Sequence, residues 1–179
     1  MLILFCVPWI CLAVYYAPFL VSLGWHIMHG MAVSYRGLRV RVPLGWTADL
    51  TPINDDFPAN PQGVTLEKQS KSLAFEVAGP EMMYFNLLLP DAGHEPAQQA
   101  HQWKDLFLRA HPAPEFSVSS IDDLSPGIDC LEATPANNKS AAALACISVN
   151  NGWVAEYAGA RTDVPLFLDI ASSLKAKPR

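Results

Sequence analysis

The stretch LRVRVPLGWTADL, residues 38–50, decides how the fold is read. Leu38, Val40 and Val42 alternate with Arg39 and Arg41, the period of two of a strand with one buried and one solvated face. Pro43 has no N–H to give a sheet ladder and ends the pattern. Gly45 permits a turn, and Trp46 is large enough to plug the end of a core. Around it, VSYRGLRVRV, residues 33–42, reads as two short strands about Gly37, or as one strand with a bulge there.

Upstream the chain changes character. MLILFCVPWICLAVYYAPFLVSLGWHIMHG, residues 1–30, is nearly continuous apolar sequence, and no charged residue occurs before Arg36. About 20 apolar residues cross a bilayer core of roughly 30 Å. Pro8 and Pro18 are tolerated in a membrane helix, and Trp9, Tyr15, Tyr16 and Trp25 suit the interfacial belt. We therefore expect a transmembrane anchor over 1–30 and a soluble domain over 31–179. A cleaved signal peptide is the rival, but it wants a basic start, a shorter apolar core and a small-residue cleavage site. Cys6 and Cys11 lack a lipoprotein cleavage pattern.

The whole chain has 179 residues, of which 16% are charged, against about 25% in ordinary soluble domains. Its net charge of −5 falls wholly on the part after residue 35. That balance is wrong for a phosphate backbone, so nucleic acid is discounted as a partner.

Two signals disagree on orientation. Arg36, Arg39 and Arg41 follow the apolar run with no basic residue before it, which by the positive-inside rule puts the domain in the cytoplasm. The cysteines argue the reverse. Outside the anchor only Cys130 and Cys146 occur, in GIDCLEATPANNKSAAALACISV, residues 127–149. This reads as strand, turn, strand, and a turn centred near Asn138 sets Cys130 opposite Cys146. Directly opposed residues come close to disulfide geometry; two buried free thiols are the alternative. A disulfide requires an oxidising compartment. The expectation is an extracytoplasmic domain on a single-pass anchor, since long C-terminal domains translocate largely regardless of charge.

Along the domain, residues 51–63 read as a loop rich in proline. Strands are expected near Val64–Glu67, at Leu73-Phe75-Val77 and over residues 82–89, the last apolar on both faces and so central in its sheet. PAQQAHQWKDLFLRA, residues 96–110, is the clearest helix, with Ala100, Trp103, Phe107 and Ala110 on one stripe, Pro96 in its first turn and Pro112 beyond its end. A strand at FSVSS follows, then the cysteine hairpin. Asn151-Gly152 signals a two-residue hairpin turn. A final helix carries Phe167, Ile170, Ala171 and Leu174 on its buried side, with Asp163 as its cap. Strands, helix, antiparallel strands, helix make an α+β domain: an antiparallel sheet with packed helices.

That element order, the first strand running into VPLGW, the later NGWVAEYAG and the closing FLDIASSLK together resemble the Mog1/PsbP-like α/β sandwich over about residues 33–175. The resemblance implies a protein that works by binding and assembly, without assigning any functional residue.

Candidate chemistry is sparse. His94, Glu95, His101 and Asp105 form the one cluster with metal-ligand character, His101 and Asp105 being four apart on the expected helix. An enzyme with a dispersed, metal-dependent cleft built there is the alternative to a binding or assembly module; a solvated helix face explains the same residues. His26 and His29, three apart, offer at most one haem ligand. The acid pairs Asp55-Asp56 and Asp122-Asp123 lack calcium-loop spacing. No cofactor is expected. The partners expected are membrane lipid, through the N-terminal helix, and a protein of the cell envelope.

Overall fold

A computed structural model describes residues 2–50, 63–69, 81–88, 95–121 and 124–174; of residues 2–14 and 96 only the backbone is described. Among the described residues thirteen elements follow one another. Helix α1 (Leu2–His29) leads into strands β1 (Ala32–Tyr35), β2 (Leu38–Arg41), β3 (Trp46–Asp49), β4 (Val64–Lys68) and β5 (Met82–Leu87). Helix α2 (Pro96–Ala110) precedes β6 (Phe116–Ile121), β7 (Asp129–Pro135), β8 (Ala141–Ser148) and β9 (Trp153–Ala160). A 3-10 turn (Arg161–Asp163) then enters α3 (Val164–Ser173).

The expected α+β class holds. Strands β3 to β9 make one antiparallel sheet in the order β3-β4-β5-β9-β8-β7-β6. The opening stretch departs from expectation in one respect. Among the described residues strand β2 pairs with β1 alone, across a two-residue turn at Arg36-Gly37, and not with the larger sheet. Both turn residues are left-handed, at φ 48° and 94°, the type I′ geometry whose twist matches a tight hairpin. Period two correctly assigns the faces: Leu38, Val40 and Val42 are fully buried while Arg39 and Arg41 are exposed.

The main core lies between one sheet face, the β1–β2 hairpin and α3. Met83 and Phe85 of β5, Ala155 and Tyr157 of β9, and Leu144 and Cys146 of β8 meet Leu38, Val40, Phe167 and Ile170 there. The Phe167 ring lies 6.0 Å from Phe85 and 5.6 Å from Tyr157. Trp46 is buried in the same core. Ion pairs fasten the cover: Arg41 of β2 reaches Asp169 of α3, and Lys68 of β4 binds Asp163 as well as Glu81, at 2.6 Å. Asp163 stands at the N-cap of α3 as expected, but its carboxylate goes to Lys68 and caps no backbone N–H. Burial alone would lower the Lys68 pKa; the hydrogen bonds and charges of Asp163 and Glu81 outweigh it and raise the value.

On the opposite face α2 covers the β7–β9 side. Phe107 packs on Ala133 and Ala145, and Trp103 and Ala100 beside Leu88, Ile147 and Val154. Ala110, placed on that stripe by its spacing, is exposed. Three further expectations need correction or fall elsewhere. Strand β5 is central, but its second face carries Tyr84 and Asn86 between the apolar Met82 and Leu88. The β8–β9 connection has four residues, 149–152, because Ser148 pairs with Trp153. The strand expected at Leu73-Phe75-Val77 and the loop at 51–62 lie outside the described residues.

Cys130 and Cys146 are direct partners in the β7–β8 register and are joined as a disulfide, with Cα atoms 4.1 Å apart. Helix α1 runs 28 residues. Among the described residues no helix is long and apolar enough to cross a membrane.

Candidate functional site

Two features meet at the edge of the sheet: the seat of α1, and a row of polar side chains that crosses four strands.

The seat is built on the turn that Pro43 and Gly45 create. The Ser22 hydroxyl donates to the Trp46 carbonyl at 3.1 Å and accepts from the Gly45 N–H at 2.9 Å. The His26 ring nitrogens lie 2.9 Å and 3.1 Å from the carbonyl oxygens of Gly30 and Pro43. Both side chains are buried, and Trp25 packs against the main core. The last two turns of α1 are thus fastened to the domain by hydrogen bonds from buried side chains. The same placement locates the two histidines weighed as haem ligands. His26 is engaged in the seat, and His29 stacks on Trp25 with Nδ1 3.0 Å from the Trp25 carbonyl.

Between α1 and strands β3 and β4 runs a groove of about 410 Å³. Leu20, Val21, Gly24 and Met28 line one wall; Thr47, Asp49, Glu67 and Gln69 line the other. The Gln69 amide donates to the Thr47 hydroxyl at 2.9 Å and so holds that wall in place.

The polar row starts in this groove. Register pairs Asp49 with Thr65, Thr65 with Tyr84 and Tyr84 with Glu156. These four residues share the sheet face opposite the main core. With strands about 4.8 Å apart, the row spans roughly 15 Å. Gly63 permits the close crossing over Tyr84: a Cβ there would sit 2.6 Å from both the Tyr84 ring and the Phe85 carbonyl oxygen. Thr65 is buried, and its hydroxyl has no hydrogen-bond partner among the described residues. Burial pushes the Glu156 carboxyl up to about 7. Burial also raises the Tyr84 phenol, helped by the charges of Glu156 and Tyr35 and opposed by a hydrogen bond with Asn86. Near neutral pH the row therefore holds a carboxyl that can give or take a proton, beside two hydroxyls that keep theirs.

The sign of the resulting pH dependence follows. A carboxyl whose folded value lies above its unfolded value of about 4.3 stabilises the fold fully below that pH, and the contribution is lost as pH rises through 7. Glu156→Gln keeps the shape and removes the charge. It should stabilise the protein at pH 8 by roughly 2 kcal/mol, discounting for the water that reaches the carboxylate. It should also flatten the decline between about pH 4.3 and 7. Urea unfolding at a series of pH values tests this; parallel curves for the two proteins would remove the assignment.

The metal candidates read from sequence are only partly described. Glu95 and Gln98 form a capping box at the start of α2. His101 and Asp105 are exposed on its outer side, and His94 lies outside the described residues, as do Asp55-Asp56 and Asp122-Asp123. Among the described residues no group of three or more His, Cys, Asp or Glu is placed to hold a metal ion. The residues that do converge were missed from sequence: Ser22, hidden in an apolar run, and the row of Asp49, Thr65, Tyr84 and Glu156. One signal was available, an acid amid apolar residues in WVAEYAG. Compared with protein-family models, with curated proteins and with solved structures, the chain matches none.

Proposed function

We propose that this chain is a membrane-anchored binding or assembly module of the cell envelope, with α1 as a single-pass span and the domain on the extracytoplasmic side. The observation that carries the reading is the surface of α1. Tyr15, Tyr16, Phe19, Leu20, Val21, Leu23, Ile27 and Met28 are all exposed, a contiguous apolar surface that water-soluble monomers avoid. The helix continues to Leu2 through sequence without a single charge. The seat begins at Ser22, so residues 2–21 extend beyond it. Twenty helical residues measure about 30 Å, the thickness of a bilayer core. The buried disulfide supports the extracytoplasmic side. The Mog1/PsbP-like resemblance belongs to the same proposal, because that family works largely by assembly.

The seat gives the reading a graded test. Full-length protein should stay in the membrane pellet after alkaline carbonate extraction. Deletion of 2–21 should release a fragment that melts cooperatively. Deletion of 2–29 also removes Ser22, Trp25 and His26 and should lower the melting temperature of the fragment by several degrees, the effect of losing two buried hydrogen-bonding side chains and a packed indole. Full-length protein in the carbonate supernatant would rule out the anchor.

A further inference from the structure

The tip of the β7–β8 hairpin carries Asn138-Lys139-Ser140, the only place in the chain where an asparagine stands two before a serine or threonine. With no proline between them, this is the acceptor pattern for an N-linked glycan. Residues 136–140 are all exposed. The backbone reverses through two hydrogen bonds: Asn138 N–H to the Pro135 carbonyl at 3.3 Å, and Ala141 N–H to the Asn138 carbonyl at 3.2 Å. Asn138 Oδ1 accepts twice from Ser140, from its backbone N–H at 3.2 Å and from its hydroxyl at 2.6 Å. A backbone N–H can only donate, so this branch of the amide is its oxygen. Nδ2 is the other branch, and among the described residues it donates to nothing.

We propose that Asn138 is the attachment site of an N-linked glycan. The inference rests on the domain lying on the extracytoplasmic side, the side on which the disulfide forms. The glycan donor is a polyprenyl-diphosphate oligosaccharide. Nδ2 attacks its anomeric carbon; the N–C bond forms as the C–O bond to the diphosphate breaks. The diphosphate leaves with the electron pair, and one Nδ2 proton passes to a base of the transferase. An amide nitrogen is a weak nucleophile because its electron pair is shared with the carbonyl. Hydrogen bonds on Oδ1 stabilise the charge that gathers on that oxygen as the nitrogen gives up its proton, and Ser140 supplies them. The exposed tip also leaves room for a bulky group without disturbing a buried contact.

The test uses full-length protein purified from the membranes of its own host. Its peptides are read by mass spectrometry before and after treatment with peptide-N-glycosidase. The peptide that holds Asn138 should carry one glycan, and the enzyme should leave aspartate at that position. Asn138→Asp keeps the acceptor oxygen and the turn but has no nitrogen to modify. It should abolish the glycosylated form without moving the melting temperature of the enzyme-treated protein. Ser140→Ala keeps the backbone donor and loses the hydroxyl, and should lower occupancy by about tenfold, the upper scale of one hydrogen bond. Ser140→Thr should retain the glycan. Unmodified Asn138 in protein whose Cys130–Cys146 bond is intact overturns the proposal and leaves the extracytoplasmic reading standing. Free thiols at those cysteines overturn that reading, and the glycan site with it. A glycan that persists in Asn138→Asp overturns the assignment to this residue.

Discussion

Val40→Asp should unfold the domain, while Arg39→Asp should leave its stability within about 0.5 kcal/mol. The two positions are adjacent in β2 and differ only in the face they present. Val40 is fully buried in the core that Phe85, Tyr157 and Phe167 share. A carboxylate there has no cation within that apolar cluster, so it must be buried charged or take up a proton, and either costs several kcal/mol. The expected loss of at least about 4 kcal/mol compares with a total stability of 5–15 kcal/mol for a typical domain. Arg39 points into water; its replacement changes a solvated charge. Circular dichroism and urea titration of both variants decide the matter. Equal damage would mean that the outer face of the hairpin is also covered.

That contrast also marks what sequence can and cannot carry. Period two tells which side of β2 is buried, because alternation is local. It does not tell which strand lies beside it, and β2 turned out to belong to a separate hairpin. Helix α2 was legible to the residue because Pro96 and Pro112 bracket an amphipathic run, each with a local backbone reason. The cysteine register was legible because the turn lies midway between Cys130 and Cys146. The Asn151-Gly152 turn misled: the dipeptide is a good two-residue turn in isolation, but the ladder closes at Ser148 and Trp153 and leaves four residues between. The candidate site is of a different kind. Asp49, Thr65, Tyr84 and Glu156 come from four segments up to 107 positions apart (156 − 49), and only strand register lines them up. Each alone is an ordinary polar residue in a strand. Ser22 was invisible for the converse reason, since one hydroxyl in an apolar helix signals nothing until a turn with free backbone groups is placed against it.

Breaking the disulfide should cost about 3 kcal/mol, the second large effect expected of this protein. Cys130 and Cys146 are 16 residues apart, and closing a loop of that length in the unfolded chain accounts for about 3 kcal/mol in the chain-entropy picture. For a chain of this size that corresponds to a melting temperature lower by roughly 6–12 °C. Both sulfurs are buried in the main core, so reductant acts only on opened molecules and the native protein resists mild treatment. The measurement should therefore compare oxidised protein with protein reduced while unfolded and then refolded. Cys130→Ser with Cys146→Ser adds buried hydroxyls and should lie lower still. The same pair reports the compartment. Protein made in its own host, denatured without reductant and alkylated, should be modified at Cys6 and Cys11 but not at Cys130 or Cys146. A fusion after Arg179 to an enzyme active only outside the cytoplasm should work. Alkylation of Cys130 and Cys146, with such a fusion silent, would put the domain inside. The three arginines after the helix, Arg36, Arg39 and Arg41, would then set the orientation, and the buried cysteines would be free thiols held together by the register of β7 and β8.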